Sequence, residues 1–262
     1  MAGGVVRAKR KAPGQSLSSP RSDPLPAEKG ARPQVERSAT AALPDDTGRS
    51  RLRRPMMERR VATIAERLNG SAVAFAEAYL RRSADVLRSI PADELARVVE
   101  VLAAAGAARR QVFICGNGGS AATASHFAAG LGKEGSSRRA RKFRALALTD
   151  SVVWITSLAN DTDFTRVFVE QLKNHAEPDD VLIVFSASGN SHNVLRAVEW
   201  ANTRGLVTVG ITGRSGGELA RLARHRVSVD SDHTGHVEEG HFLIQHLITY
   251  FFMEAHPDGG DR

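Results

Sequence analysis

QVFICGNGGSAATASHFAAG, residues 111–130, contains the unit from which the fold is read. A short apolar, β-prone run, QVFIC (111–115), passes through a glycine turn into a segment with helical spacing. The glycines let the backbone turn tightly with its N–H groups exposed, and the following helix points its positive end back at that turn. Strand, turn and helix in this order begin a βα unit whose turn suits an anion. Ser120 stands at the helix start, where a hydroxyl serves as N-cap or as phosphate ligand.

Working outward, the unit recurs. FRALAL (143–148), VLIVFS (181–186), LVTVGI (206–211) and RVSV (226–229) are further short apolar runs. Helix-like segments begin near Ser120, Asp161, Ser191 and Gly217, and a final helix is expected from about His236 to Glu254. Ahead of the first strand, VATIAERLNGSAVAFAEAYLRRSADVLRSI spaces its apolar residues as one or two helices. Pro91 restarts the chain into the amphipathic ADELARVVEVLAAAGAARR. Near-continuous apolar strands separated by helices are covered on both faces, so the fold class is α/β, a three-layer sandwich with a parallel sheet flanked by helices. Ligands of such sheets bind at the carboxyl ends of the strands.

Composition divides the chain. Residues 1–60 carry 14 Lys+Arg against 6 Asp+Glu, and the other 202 carry 22 against 23. The basic pI therefore belongs to the N-terminal segment and does not make the folded body a nucleic-acid binder. Rich in Pro, Ser, Arg and Ala, residues 1–58 cannot bury enough apolar surface to offset ordering entropy and are expected to be a disordered basic tail. RAKRK (7–11) and RSRLRR (49–54) could touch polyanions; alternatively the tail is upstream sequence translated ahead of Met56 and Met57. The domain is placed at 59–256. One cysteine, Cys115, leaves no intramolecular disulfide, and no apolar run approaches the ~20 residues of a membrane span. A cytoplasmic protein is expected.

A second strand-to-helix junction, SASGNSHNV (186–194), surrounds one glycine with Ser186, Ser188 and Ser191. One such loop is ordinary turn and cap chemistry, but two on one sheet suit a phosphorylated metabolite held by neutral donors. Neither is a Walker A loop, since no GK[ST] follows, and the spacing misses the dinucleotide fingerprint.

Taken together, CGNGGSAATASHFA, TSLANDTDF, SASGNS and VEEGHFLIQH resemble the successive motifs of the phosphoheptose isomerases. These are sedoheptulose 7-phosphate isomerases of the sugar isomerase (SIS) domain superfamily. The resemblance covers roughly residues 60–255 and implies a five-stranded parallel sheet and a homotetramer with active sites at subunit interfaces. It assigns the phosphate to Ser120, Ser186, Ser188 and Ser191, with Ala187 in the same loop. Asn117, Gly118 and Gly119 would lie along the sugar, and Asn160 and Asp161 near it.

Ketose–aldose isomerisation needs a base to move a carbon-bound proton, and an acid or metal to stabilise the developing oxyanion. His126, Glu238, Glu239, His241 and His246 are candidates. Helical geometry alone pairs Glu239 with His246, and His241 with Gln245. The resemblance instead places zinc ligands on His126, Glu238 and His246, with Glu238 and His246 also catalytic; His241 reads as a packed imidazole. One position departs from the family. It carries a glutamate, metal ligand and presumed base, four residues after the helix histidine, and here that position is Gly130. Glu134, one turn on, is a possible substitute, and Lys133 reads as solvated. The implied function is isomerisation of a phosphorylated heptose, sedoheptulose 7-phosphate to D-glycero-D-manno-heptose 7-phosphate. The alternative is a non-catalytic sugar-phosphate-binding adaptor or regulator. A DNA-binding regulator would need a helix-turn-helix that the tail does not supply.

Overall fold

The computed structural model describes residues 71–254; the basic tail and the opening of the first helical segment lie outside the described residues. Two helices come first, α1 (Ala72–Arg88) and α2 (Ala92–Ala107), followed by β1 (Gln111–Cys115) and α3 (Gly119–Gly132). Next are β2 (Arg144–Ala147), α4 (Val152–Asp161), a 3-10 turn (Phe164–Arg166), α5 (Val169–His175) and β3 (Val181–Ser186). The remainder is α6 (His192–Thr203), β4 (Val207–Gly213), the single turn α7 (Leu219–Leu222), β5 (His225–Val229) and α8 (Thr234–Glu254).

The five strands form one parallel sheet in the order β2-β1-β3-β4-β5. Alternation along each strand feeds two separate cores, one per face. Val112, Ile114, Ile183 and Phe185 pack with Leu102 of α2, Phe127 and Leu131 of α3, and Ile244, Ile248 and Phe252 of α8. Phe113, Cys115, Leu182 and Val184 pack with Leu172 of α5, Val194, Ala197 and Val198 of α6, and Leu219 of α7. Two buried faces explain why the strands read as unbroken apolar runs. Phe127 is fully buried and fixes α3 to the sheet; its removal would cost about 3–5 kcal/mol. Burial also pushes the Cys115 thiol far up, which leaves it unreactive.

The two serine- and glycine-bearing junctions fall at the carboxyl ends of β1 and β3, adjacent strands at the centre of the sheet. Two helix starts differ from the sequence expectation. The helix expected near Asp161 ends there instead, because Ser151 caps α4 by accepting from the Trp154 N–H. Val152, Val153, Ile155 and Thr156 are β-branched and hide that helix from a propensity reading. The helix expected near Gly217 is only the four-residue α7, preceded by Gly216 and Gly217, both at positive φ. Among the described residues no helix is long and apolar enough to cross a membrane.

Candidate active site

A cavity of about 660 Å³ opens over the central strands. Asn117 and Ser120 line it from the loop after β1, and Ser186, Ala187, Ser188 and Ser191 from the loop after β3. These are six of the expected binding residues, brought together from segments about seventy positions apart. Three helices begin at its walls: Ser120 lies in the first turn of α3, Ser191 is the N-cap of α6, and Thr234 opens α8. Converging helix N-termini make a ready anion site, because each offers unpaired N–H groups and a partial positive charge.

The local geometry follows from the sequence. Gly118 has φ +57°, which an L side chain adopts only with strain, and this lets the chain double back from β1 into α3. Asn117 is locked to Asn193 of α6 by a reciprocal pair of amide hydrogen bonds, 2.9 and 2.8 Å, tying the two loops into one wall. In the second loop, Ser186 Oγ accepts from Gly189 N at 3.1 Å and Ser188 Oγ from Asn190 N at 3.3 Å. The hydroxyl of Ser191 makes no capping bond to its own helix, so it is available to a ligand.

Glu238 is the hinge of the site. It lines this cavity and also a shallower hollow of about 450 Å³ formed by Gly119, Ala122, Thr123, Glu239, Phe242, Leu243 and His246. Its carboxylate lies over Gly119, where a Cβ would stand 2.5 Å from Oε1. Glycine at 119 is thus required by the carboxylate, whereas glycine at 118 is required by the backbone. Glu239 is occupied elsewhere: Tyr79 and Ser83 of α1 each donate to it at 2.8 Å. Those bonds tie α8 to α1 and leave Glu238 as the one of the two glutamates that lines the cavity.

His126 and His246 meet beyond Glu238, Nε2 to Nε2 at 3.3 Å, with Phe242 edge-on to both rings. Two imidazoles on one tetrahedral zinc, with bonds of about 2.0–2.1 Å, stand about 3.3 Å apart. The pair therefore has the spacing of two ligands, but the set stops there. Among the described residues no group of three or more His, Cys, Asp or Glu side chains is arranged to hold a metal. The family's next ligand position, Gly130, faces Thr249, whose Oγ1 would lie 3.0 Å from an added Cβ. The described residues of one chain bring together two of the three expected zinc ligands, His126 and His246.

Glu134, the possible substitute for the carboxylate missing at Gly130, lines neither cavity. α3 ends at Gly132, and the turn is closed by Gly135 N donating to Gly130 O. Glu134 pairs with Lys133 at 3.1 Å; that bond, its backbone and the nearby His126 charge hold its carboxyl below the usual range. His241 is fully buried against Phe185, and burial drives its pKa down to about 4. It is the packed imidazole expected from the sequence. Asn160 and Asp161 do not reach the cavity. They sit exposed on the last turn of α4 and bond to each other at 2.8 Å.

Sequence reasoning missed Asn193 and the far wall of the cavity, formed by Arg214, Ser215 and the run Ser231–Thr234. The signal for Asn193 was present, two residues after Ser191 at a helix start. Nothing in the pattern marked the loops after β4 and β5, which carry the rest.

Fold and site together define a SIS-domain protein, and the SIS domain family model matches residues 74–213. A probable phosphoheptose isomerase of Thermoplasma acidophilum is 36% identical over 174 residues, 66% of this chain and 94% of that protein. The phosphoheptose isomerase of Mycobacterium tuberculosis is 42% identical over 157 residues, 60% of this chain and 80% of its own length. The solved phosphoheptose isomerase of Francisella tularensis superposes with a TM-score of 0.65 at 28% identity, covering 70% of this chain and 99% of that one. The chain belongs to the phosphoheptose isomerase family of SIS-domain proteins.

Proposed function

We propose that this chain is a cytoplasmic ketose–aldose isomerase that converts sedoheptulose 7-phosphate to D-glycero-D-manno-heptose 7-phosphate. The observation that carries the reading is the shared position of Glu238, which lines both the serine-walled cavity and the hollow holding His246. A sugar phosphate anchored on Ser120, Ser186, Ser188 and Ser191 extends its carbon chain over a carboxylate. Glu238 then serves as the base for the carbon-bound proton, the task Gly130 has lost, and His246 on its far side is the acid–base group that relays the proton Glu238 holds. The family position that would complete a zinc ligand set is Gly130, which offers no donor atom.

The homotetramer is part of the same proposal. α4 buries none of its ten residues, and Val152 and Val153 are 69% and 76% exposed. α8 leaves Phe242, Leu243, Leu247, Tyr250 and Phe251 exposed beside the histidine pair. Apolar faces of this extent support cover by copies of the chain, and Asn160 and Asp161 ride on one of them. Leu247→Glu is expected to lower the molar mass measured by light scattering; an unchanged mass would remove that face from the interface.

Purified protein given sedoheptulose 7-phosphate should yield the aldose, followed by NMR. Saturable binding without turnover would replace this reading with that of a sugar-phosphate-binding adaptor or regulator.

A further inference from the structure

The cavity holds another titratable side chain that neither the serine loops nor the histidine pair uses. His233 lines it from the loop between β5 and α8, alongside Glu238 one helical turn further on. The imidazole is held from several sides. Its backbone N–H donates to Ser231 Oγ at 3.1 Å, and its carbonyl accepts from Val237 N in the first turn of α8. Tyr79 of α1 lies edge-on at 5.8 Å between centroids, and His236 packs at 4.6 Å. Gly235 makes the room: a Cβ there would lie 2.6 Å from the Tyr79 hydroxyl and 3.1 Å from His233 Cε1. Nδ1 of His233 is buried and makes no hydrogen bond among the described residues.

We infer that His233 is the oxygen-side catalytic residue of this cavity, a neutral imidazole that polarises the substrate carbonyl and carries protons between the two adjacent sugar oxygens. The inference rests on the isomerase reading above. A carboxylate that works on carbon and an imidazole that works on oxygen divide the two halves of an enediol isomerisation, as in triosephosphate isomerase, where the imidazole acts in its neutral form. In the forward direction Glu238 takes a proton from C1 of the 2-ketose. The C–H electron pair becomes the C1–C2 double bond, and His233 donates a proton to the carbonyl oxygen on C2. The C1 hydroxyl then returns a proton to His233 as the C1 carbonyl forms, and Glu238 delivers its proton to C2. Both groups end as they began, and no oxidant or reductant is consumed.

The surroundings favour that neutral form. Burial and the neighbouring His236 lower the His233 pKa below its usual 6.5, against an opposing pull from Glu239. The charged and titratable groups on the packed elements and the cavity wall are Tyr79 from α1, His236, Glu238 and Glu239 from α8, and Arg214 and Asp232 beside the loop. Arg214 and Asp232 are paired with each other at 3.4 Å.

The test compares wild type, His233→Ala and His233→Gln in steady-state turnover of sedoheptulose 7-phosphate, with phosphosugar binding by calorimetry as the check on folding. His233→Ala is expected to lower kcat by about 10²–10⁴-fold with KM within about threefold. Added imidazole should restore part of the lost rate. His233→Gln, which keeps a neutral donor, should fall between. In wild type the acid limb of kcat/KM should include a group titrating below pH 6.5 that is missing from both variants. A His233→Ala enzyme within threefold of wild-type kcat, or one that loses rate without imidazole rescue, overturns the assignment. A wild type that binds the sugar and never turns it over removes the isomerase reading itself, and this one with it.

Discussion

Gly119→Ala separates the stability of the fold from the chemistry of Glu238. The residue opens α3 and has no left-handed backbone requirement, so alanine is conformationally permitted. A Cβ at 119 would stand 2.5 Å from Glu238 Oε1 and 2.7 Å from Oε2. Ordinary non-bonded contact is nearer ~3.5 Å, so the carboxylate must retreat by about 1 Å. A displacement of that size at a reacting group costs about 10²-fold in rate, equivalent to about 2.7 kcal/mol of barrier. The backbone change acts in the opposite direction. Replacing a helical glycine with alanine adds up to about 1 kcal/mol, which for a domain of this size raises Tm by about 2–4 °C. The expected result is an enzyme as stable as wild type or slightly more so, with kcat reduced about a hundredfold. Calorimetric Tm and turnover on the same preparation check it. Full activity in a stable variant would refute the placement of Glu238 at the reacting carbon. A joint fall of Tm and rate would show that position 119 serves folding.

Gly130→Glu restores the family's carboxylate on the His126 face of α3. The contact with Thr249 is tight, so Gly130→Glu/Thr249→Ala is its companion. Zinc retention measured by plasma emission should rise at least tenfold over wild type, and an unchanged metal content would remove His126 and His246 as ligands. Ser188→Ala and Ser191→Ala each delete one hydroxyl facing a charged phosphate, a loss of about 1.5–3 kcal/mol. KM should therefore rise about ten- to a hundredfold with Tm unchanged, as initial rates across substrate concentrations would show. His241 gives a stability signature in acid. Its folded pKa of about 4 lies below the usual 6.5, so the unfolded chain binds the extra proton first. The stability from keeping this ring neutral is complete above pH 6.5 and falls by about 3 kcal/mol as pH drops toward 4. Urea midpoints of wild type and His241→Gln should converge across that window; parallel curves would show that His241 does not titrate with unfolding.

The strands and the serine loops were legible because their causes are local. A two-sided buried strand must be apolar throughout, and a strand-to-helix turn that exposes N–H groups must carry Gly and Ser. α4 was misplaced because Ser151 starts a helix that its β-branched residues argue against. His233 and Arg214 were invisible for another reason. Only the order β3-β4-β5 brings the loops after β4 and β5 against the serine loop, and no spacing along the chain reports that neighbourhood. That Tyr79 and Ser83 of α1 bond to Glu239 and not to Glu238 was not legible either. Gly130 was readable as a departure, but that it faces Thr249 was not.

The most direct measurement is ¹³C NMR of sedoheptulose 7-phosphate incubated with the purified protein in D₂O. The account predicts D-glycero-D-manno-heptose 7-phosphate carrying deuterium at C2, the mark of a proton removed by a protein base and exchanged with solvent. Unlabelled, unconverted ketose at saturating protein, with binding confirmed on the same sample, would contradict it.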